Sequence, residues 1–193
     1  MVDLESLLSK FKPHRNYRYK GAHRMAHVPS LGDMAYLNII HDAADAEIQG
    51  SIIDPLCLPR QLRDFYRTYN GVDLFSDSLS VYGFFPVVFQ YERADMDRSY
   101  PYNIMDLNER FLDNVMSSDV FFFGSYGYDR FPVFMDKSTG SVYYSSEDDP
   151  NRIRATWPDF ETWIENEIRR LSECFDEYGN RIVELEETLP GQN

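Results

Sequence analysis

The sequence has too few cysteines for a disulfide framework and no segment that could cross a membrane as an apolar helix. Cys57 and Cys174 are the two cysteines among 193 residues, whereas domains stapled by disulfides carry four or more. No run approaches the 18 or more apolar residues of a membrane-spanning helix. Acidic Asp3 and Glu5 stand where a signal peptide carries basic residues. We therefore expect a cytoplasmic protein without membrane association.

Basic residues are also scarce. The chain carries 19 Lys and Arg against 32 Asp and Glu, which gives a net charge of −13. Binding to nucleic acid requires basic side chains that neutralise phosphates, so this balance argues against direct nucleic-acid binding. The charge is uneven, because residues 1–24 hold six Lys and Arg and only two acidic residues. The pattern predicts a basic N-terminal arm ahead of a strongly acidic body.

Residues that could carry catalysis or bind a metal do not form a recognisable site. Cys57 stands in an apolar helix entry and Cys174 beside an apolar stripe, which favours inert buried thiols. His23 and His27 have the spacing of a shared metal site on a helix, but no third ligand is evident, and an exposed basic arm is the alternative. Residues 147–149 lack the alternating spacing and central glycine of a calcium loop. We predict a protein that is not an enzyme and uses no cofactor or metal.

Hydrophobic periodicity and turn residues predict a mixed set of helices and strands. Four segments have the apolar spacing of helices: 31–48, 58–69, 103–116 and 158–175. Four others have the residue pattern of strands: 79–91, 120–123, 130–135 and 141–144. Asn103 is a suitable N-cap, and Asn70-Gly71 a suitable helix stop. The expected fold class is α+β, with an antiparallel or mixed central sheet and helices packed on it.

The same reading divides the chain into three parts. We expect an irregular basic N-terminal arm over residues 1–30, with a short helix at Leu4–Phe11, an α+β domain over 31–178, and an acidic C-terminal tail over 179–193. The length fits one domain with short extensions.

The segment from Gly124 to Arg130 is the most unusual one. Glycines at the end of a strand could cradle a phosphate if a helix followed, but a strand follows here, which favours a structural loop. Aromatic side chains in such a loop are suited to protein contacts. The candidate partner-binding residues are the aromatic and acidic side chains of this loop and of a later acidic turn: Tyr126, Tyr128, Asp129, Glu147, Asp148 and Asp149.

Four motifs in order resemble the SUKH superfamily, which includes a yeast cell-wall synthesis regulator and many bacterial immunity proteins. They are a helix of the form L-P-x-x-L-x-x-F-Y that begins at Leu58 and leads to Tyr69-Asn70-Gly71, the turn Gly127-Tyr128-Asp129, the hairpin from Asp136 to Tyr143, and the closing helix from Trp157 to Ile168. The resemblance covers about residues 33–175.

The resemblance implies a SUKH-like fold and a function without catalysis. The bacterial members neutralise a cognate toxin, often a nuclease, by binding it directly. Nucleases that grip phosphates are basic, so an acidic inhibitor is complementary to them. The resemblance thus implies an immunity protein, and the acidic charge is compatible with a basic toxin domain as its partner. The alternative is a scaffold or regulatory domain with a cellular partner, and a toxin gene next door would separate the two.

Overall fold

A computed structural model describes most of the chain. The described residues are 2–11, 16–19, 21–28, 35–46, 49–53, 58–84, 101–111, 119–127, 129, 131–145, 149 and 151–191. Cys57, Tyr128, Glu147 and Asp148 lie outside them, as do the strand predicted over 85–91 and the last part of the helix predicted over 103–116.

Within the part of the chain that the structure describes, nine strands form one antiparallel sheet in which each strand pairs with the next. Their bounds are β1 Tyr17–Tyr19, β2 Ala22–His27, β3 Tyr36–Asp42, β4 Tyr69–Leu74, β5 Leu79–Val81, β6 Val120–Tyr126, β7 Phe131–Asp136, β8 Val142–Ser145 and β9 Ile153–Trp157. This simple order needs no crossover connection between parallel strands.

The helices accompany this sheet, which confirms the predicted α+β class. They are α1 Leu4–Leu7, a π-helical turn at Gln49–Ile53, α2 Arg60–Tyr66, α3 Ile104–Phe111, α4 Phe160–Glu173 and a 3₁₀ turn at Glu186–Thr188. Side-chain caps set several starts: Asp159 accepts a hydrogen bond from the Thr162 amide, and Asn103 accepts one from the Met105 amide as predicted. None of the described helices has the length and apolarity to span a membrane.

The main core lies between α4 and the sheet. Trp163 is at its centre with no exposed surface, and its ring meets Phe123 at 5.1 Å and Phe160 at 5.5 Å between centroids. The apolar stripe of α4 therefore faces the sheet, as its spacing predicts. The α3 helix is tied to β6, because the Asn108 amide group bonds both the carbonyl and the N–H of Phe122.

The helix predicted within 31–48 is wrong, because residues 36–42 form β3. Six of the seven residues of β3 are buried, so both faces of the strand are covered. A strand buried on both faces reads as a continuous apolar run, which periodicity alone cannot distinguish from a helix. The β-branched Ile39 and Ile40 favour the strand.

The N-terminal segment is not an irregular arm in its described part. Residues 17–19 and 22–27 are strands, and β2 pairs with β3 across the boundary predicted at residue 30. The predicted short helix is present as α1, whose Leu4 is buried in the main core together with Leu8 and Phe11. The order Ala-His-Arg-Met-Ala-His in β2 does not alternate polar with apolar residues, and Arg24 lies on the buried side of the strand, so the sequence pattern does not indicate β2.

Candidate partner-binding surface

The tyrosine predicted to face a partner at position 126 is a core residue. Tyr126 has no exposed surface, and its hydroxyl accepts a 2.8 Å hydrogen bond from Trp163 Nε1. Burial, with the nearby charge of Glu167, raises the pKa of Tyr126 well above its usual value. The prediction that this ring points outward is therefore wrong. All seven residues of β6 are buried, so neither face of this strand is open to a partner.

The acidic candidates that the structure describes are at the surface. Asp129 and Asp149 are both exposed, and Asp149 accepts a hydrogen bond from the Asn151 amide at 2.9 Å. No described contact joins the two residues to each other. Their role in partner binding stays a prediction.

Asn70 and Gly71 do not stop a helix, because α2 ends at Tyr66 and both residues lie in β4. The Asn70 side chain instead bonds the backbone of Phe84 twice: its Nδ2 donates to the carbonyl at 2.8 Å, and its Oδ1 accepts from the N–H at 2.7 Å. Gly71 has φ +95°, and a Cβ there would lie 2.7 Å from the Val81 carbonyl oxygen. The two Asn70 hydrogen bonds thus form a clamp: they hold Phe84, in the chain beyond β5, against the start of β4.

The candidate cysteine and histidine residues that the structure describes do not assemble into a reactive site. Cys174 is buried, and burial raises the pKa of its thiol, which disfavours the thiolate nucleophile. His23 and His27 lie on strand β2 and not on a helix, and His23 Nδ1 is 3.0 Å from Glu5 Oε1. Among the described residues, no group of three or more His, Cys, Asp or Glu could hold a metal.

A cleft of about 310 Å³ opens beside the end of α4. Its apolar surface comes from buried side chains of three separate parts of the chain, Val28, Phe75 and Phe175. Its polar lining consists of Ser76, Ser78, Asn180 and Arg181. The Arg181 guanidinium has no ion-pair partner among the described residues.

One wall of the cleft is a strained turn between β4 and β5. Phe75, Ser76 and Asp77 have φ angles of +55°, +53° and +67°, and non-glycine residues in this left-handed region cost about 1–2 kcal/mol each. Two contacts to β3 hold the turn: the Phe75 amide bonds Asn38 Oδ1 at 3.1 Å, and the Ser76 amide bonds the Leu37 carbonyl at 2.9 Å. The surrounding structure thus fixes a conformation that the local sequence disfavours.

The other wall belongs to a C-terminal surface, which we define as residues 173–187. A short hairpin follows α4, with Phe175 and Arg181 bridged as a strand pair. Three large apolar side chains are exposed on this surface: Tyr178 at 46%, Ile182 at 62% and Leu185 at 41%. The same residues include six carboxylates and one basic residue. An exposed apolar patch with polar and charged residues at its rim is one mark of a protein-binding surface.

The C-terminal surface is held firmly against the body of the protein. Arg170 bonds the buried Glu167 carboxylate at 2.6 Å, and the same guanidinium donates to the Thr188 carbonyl at 2.8 Å. Thr188 is fully buried, and its hydroxyl donates to the Leu185 carbonyl at 2.6 Å. A surface ordered in advance loses less conformational freedom on binding than a mobile tail.

Gly127, the residue that follows β6 in the segment predicted as a loop over residues 124–130, adjoins both parts of this region. The Gly127 amide bonds the carbonyl of Ser78 at 3.1 Å, and Ser78 lines the cleft. A Cβ on Gly127 would lie 3.6 Å from Leu189 Cδ2. Gly127 therefore lies next to the cleft and to the chain that follows the C-terminal surface.

Sequence reasoning found the acidity of this region but not its apolar side chains. The sequence predicts an acidic C-terminal tail over residues 179–193, whereas the exposure of Ile182 and Leu185 depends on how the segment folds back. A usable signal was the alternation of large apolar and acidic residues after α4, which a purely solvated tail does not require.

The fold and these contacts define an α+β domain with one antiparallel sheet and an exposed, acidic and apolar C-terminal surface. Residues 56–166 match the SMI1 / KNR4 family (SUKH-1). The match covers more than half of the 193 residues, and the chain belongs to this family. No curated protein matches the chain. The match ends within α4, so the C-terminal surface lies beyond the matched residues.

Proposed function

We propose that this chain is a non-catalytic protein-binding domain of the immunity type, which binds and neutralises a basic toxin domain in the cytoplasm. Membership of the SUKH-1 family fits a protein-binding role. The observation that carries the proposal is the C-terminal surface, where exposed Tyr178, Ile182 and Leu185 stand among six carboxylates. Apolar side chains of this kind supply the binding energy at interfaces, and the surrounding charge selects the partner.

The sign of the charge favours a basic partner. Glu173, Glu184 and Glu186 are exposed members of the six carboxylates of the C-terminal surface. Asp129 and Asp149, both exposed, remain in the proposal as further acidic contacts. A toxin that grips the phosphates of a nucleic acid presents Lys and Arg, and these would meet carboxylates here.

Co-expression with the product of the adjacent gene tests the proposal. We expect the two proteins to co-purify, and we expect cells that express the toxin to survive only when this chain is present. Survival without physical association would contradict direct neutralisation. A stable complex with a protein that is not toxic would support the scaffold alternative.

A matched pair of double variants tests the surface. Glu184→Gln with Glu186→Gln removes two charges from the C-terminal surface, and neither side chain makes a described hydrogen bond. Asp106→Asn with Glu109→Gln removes the same charge from α3, where both residues are exposed. We expect weaker binding from the first pair and unchanged binding from the second. Equal effects would assign the role to net charge alone.

A further inference from the structure

We infer that Arg170 is the positioning residue of the proposed binding surface, because its guanidinium joins the core to the turn that presents Leu185; this inference rests on the proposed function. Arg170 lies in the last turn of α4. The family match ends at residue 166, so Arg170 and its partner Glu167 lie beyond the matched residues. Arg170 acts on binding through Leu185 and not by contact with the partner.

The core end of this connection is a buried chain of polar side chains. Trp163 Nε1 donates to the Tyr126 hydroxyl at 2.8 Å. Burial, the charge of Glu167 and a side-chain hydrogen bond to that carboxylate raise the pKa of Tyr126. Glu167 is itself only 3% exposed. A buried carboxylate needs a charged partner, and Arg170 supplies it through Nε at 3.0 Å and Nη2 at 2.6 Å.

The outer end of the connection is the 3₁₀ turn Glu186–Thr188. Arg170 Nη2 also donates to the Thr188 carbonyl at 2.8 Å, and Nη1 donates to the Glu187 carbonyl at 3.4 Å. A guanidinium can serve a carboxylate and two carbonyls at once because its five N–H donors form a rigid planar fork. A lysine ammonium is a compact charge on a flexible chain and lacks this geometry.

The 3₁₀ turn fixes the backbone of Leu185. Thr188 is fully buried, and its hydroxyl and amide both donate to the Leu185 carbonyl, at 2.6 Å and 3.1 Å. The Glu184 amide donates to Glu187 Oε1 at 3.1 Å. The backbone of Leu185 is thus tied to Arg170 through one intermediate residue, while its side chain is 41% exposed and open to a partner.

The first part of the C-terminal surface is held by other bonds. The Ile182 amide donates to the Cys174 carbonyl at 2.9 Å, and the Asp176 amide donates to the Asn180 carbonyl at 2.9 Å. Loss of the Arg170 guanidinium should therefore release the 3₁₀ turn and leave Ile182 in place. This difference separates a positioning role from a general loss of stability.

Three variants of the full chain test this role. Arg170→Met removes the guanidinium and keeps a long side chain. Glu167→Gln with Arg170→Met leaves no unpaired buried charge, and it serves if the single variant does not fold. Arg169→Met is the matched control, because it removes the neighbouring guanidinium, which is exposed and bonds Glu165 at 3.0 Å.

Hydrogen exchange measures the release without a partner. The amides of residues 187–189 donate to the carbonyls of residues 184–186. We expect these amides to exchange about tenfold faster in the Arg170 variants, while the amides of Asp176 and Ile182 keep their protection. The Arg169→Met control should change neither set. Equal acceleration of both sets in the Arg170 variants, or of none, would overturn the inference.

Binding to the purified product of the adjacent gene tests what the positioning serves. Removal of a cation makes the surface more acidic, so charge alone predicts tighter binding of a basic partner by Arg170→Met. Positioning predicts binding that is about fivefold weaker, through faster dissociation. Leu185→Ala should weaken binding to a similar degree, and its combination with Arg170→Met should add little, because both changes act on one contact.

Two results would overturn the inference and leave the proposed function standing: tighter or unchanged binding by folded Arg170→Met, and additive losses in the combined variant with Leu185→Ala. Failure of the natural chain to bind would overturn the proposed function and, with it, the role of Arg170 in binding.

Discussion

Replacement of Gly71 by alanine should destabilise the protein more than the same change at Gly140, although both glycines are left-handed. Gly71 has φ +95° and Gly140 has φ +78°, so each substitution costs about 1–2 kcal/mol of backbone strain. A Cβ on Gly140 would meet nothing within 4 Å. A Cβ on Gly71 would lie 2.7 Å from the Val81 carbonyl oxygen and 3.0 Å from the Gly83 amide nitrogen.

The extra cost at Gly71 arises because its neighbours are backbone atoms, which cannot move aside like the end of a side chain. Overpacking of a well-filled interior costs about 1–3 kcal/mol, so Gly71→Ala should lower the free energy of unfolding by about 2–5 kcal/mol in total. Urea denaturation of both variants measures the difference directly. In a chain of this size each kcal/mol corresponds to about 2–4 °C of melting temperature. Equal losses at the two positions would refute the clamp between β4 and the chain beyond β5.

Two further predictions concern the core. Trp163→Ala should lower the free energy of unfolding by about 3–5 kcal/mol, since Trp163 has no exposed surface; a loss below 1 kcal/mol in urea denaturation would contradict its central position. Burial raises the pKa of Tyr66, Tyr126 and Tyr144. The neutral hydroxyls are thus favoured in the folded state, and the stability they provide is present below the unfolded pKa of about 10 and lost as the pH rises above it. Circular dichroism melts between pH 8 and 11 should show the melting temperature fall only in the upper part of this range; a constant value would contradict the burial of these rings.

The sequence predicts best where local chemistry decides the structure. The hairpin of β7 and β8 was predicted from Asp136 and Gly140, and in the structure Asp136 Oδ1 accepts from the amides of Ser138 and Thr139. The Ser138 hydroxyl also donates to this oxygen. This side-chain bond is the largest cause, and the amide bonds are further causes, of a lowered Asp136 pKa. All the groups involved lie within five residues, so no distant contact is needed to specify the turn.

Prediction fails where burial depends on distant parts of the chain. The sequence predicts a loop from Gly124, whereas β6 continues to Tyr126 with a register shift between Phe122 and Gly124. Trp163 of α4 then covers the ring of Tyr126. The candidate surface shows the reverse case, because Ile182 and Leu185 are exposed although the nearby Thr188 carbonyl is bonded to Arg170 in the body of the protein. Side-chain type alone favours burial for both.

The central claim is that an acidic C-terminal surface binds a basic protein. The salt dependence of the association rate tests this claim most directly. A carboxylate about 10 Å from an approaching cation contributes about 0.4 kcal/mol in water before screening, so removal of two charges should slow association about fourfold at low salt. Stopped-flow association of the adjacent gene product with the natural chain and with the Glu184→Gln, Glu186→Gln variant measures this over a salt series. We expect the natural chain to associate more slowly as salt rises, and the variant to show a lower rate with a weaker salt dependence and an unchanged dissociation rate. A natural association rate that is indifferent to salt, or a variant that matches the natural chain at every salt concentration, would contradict the account.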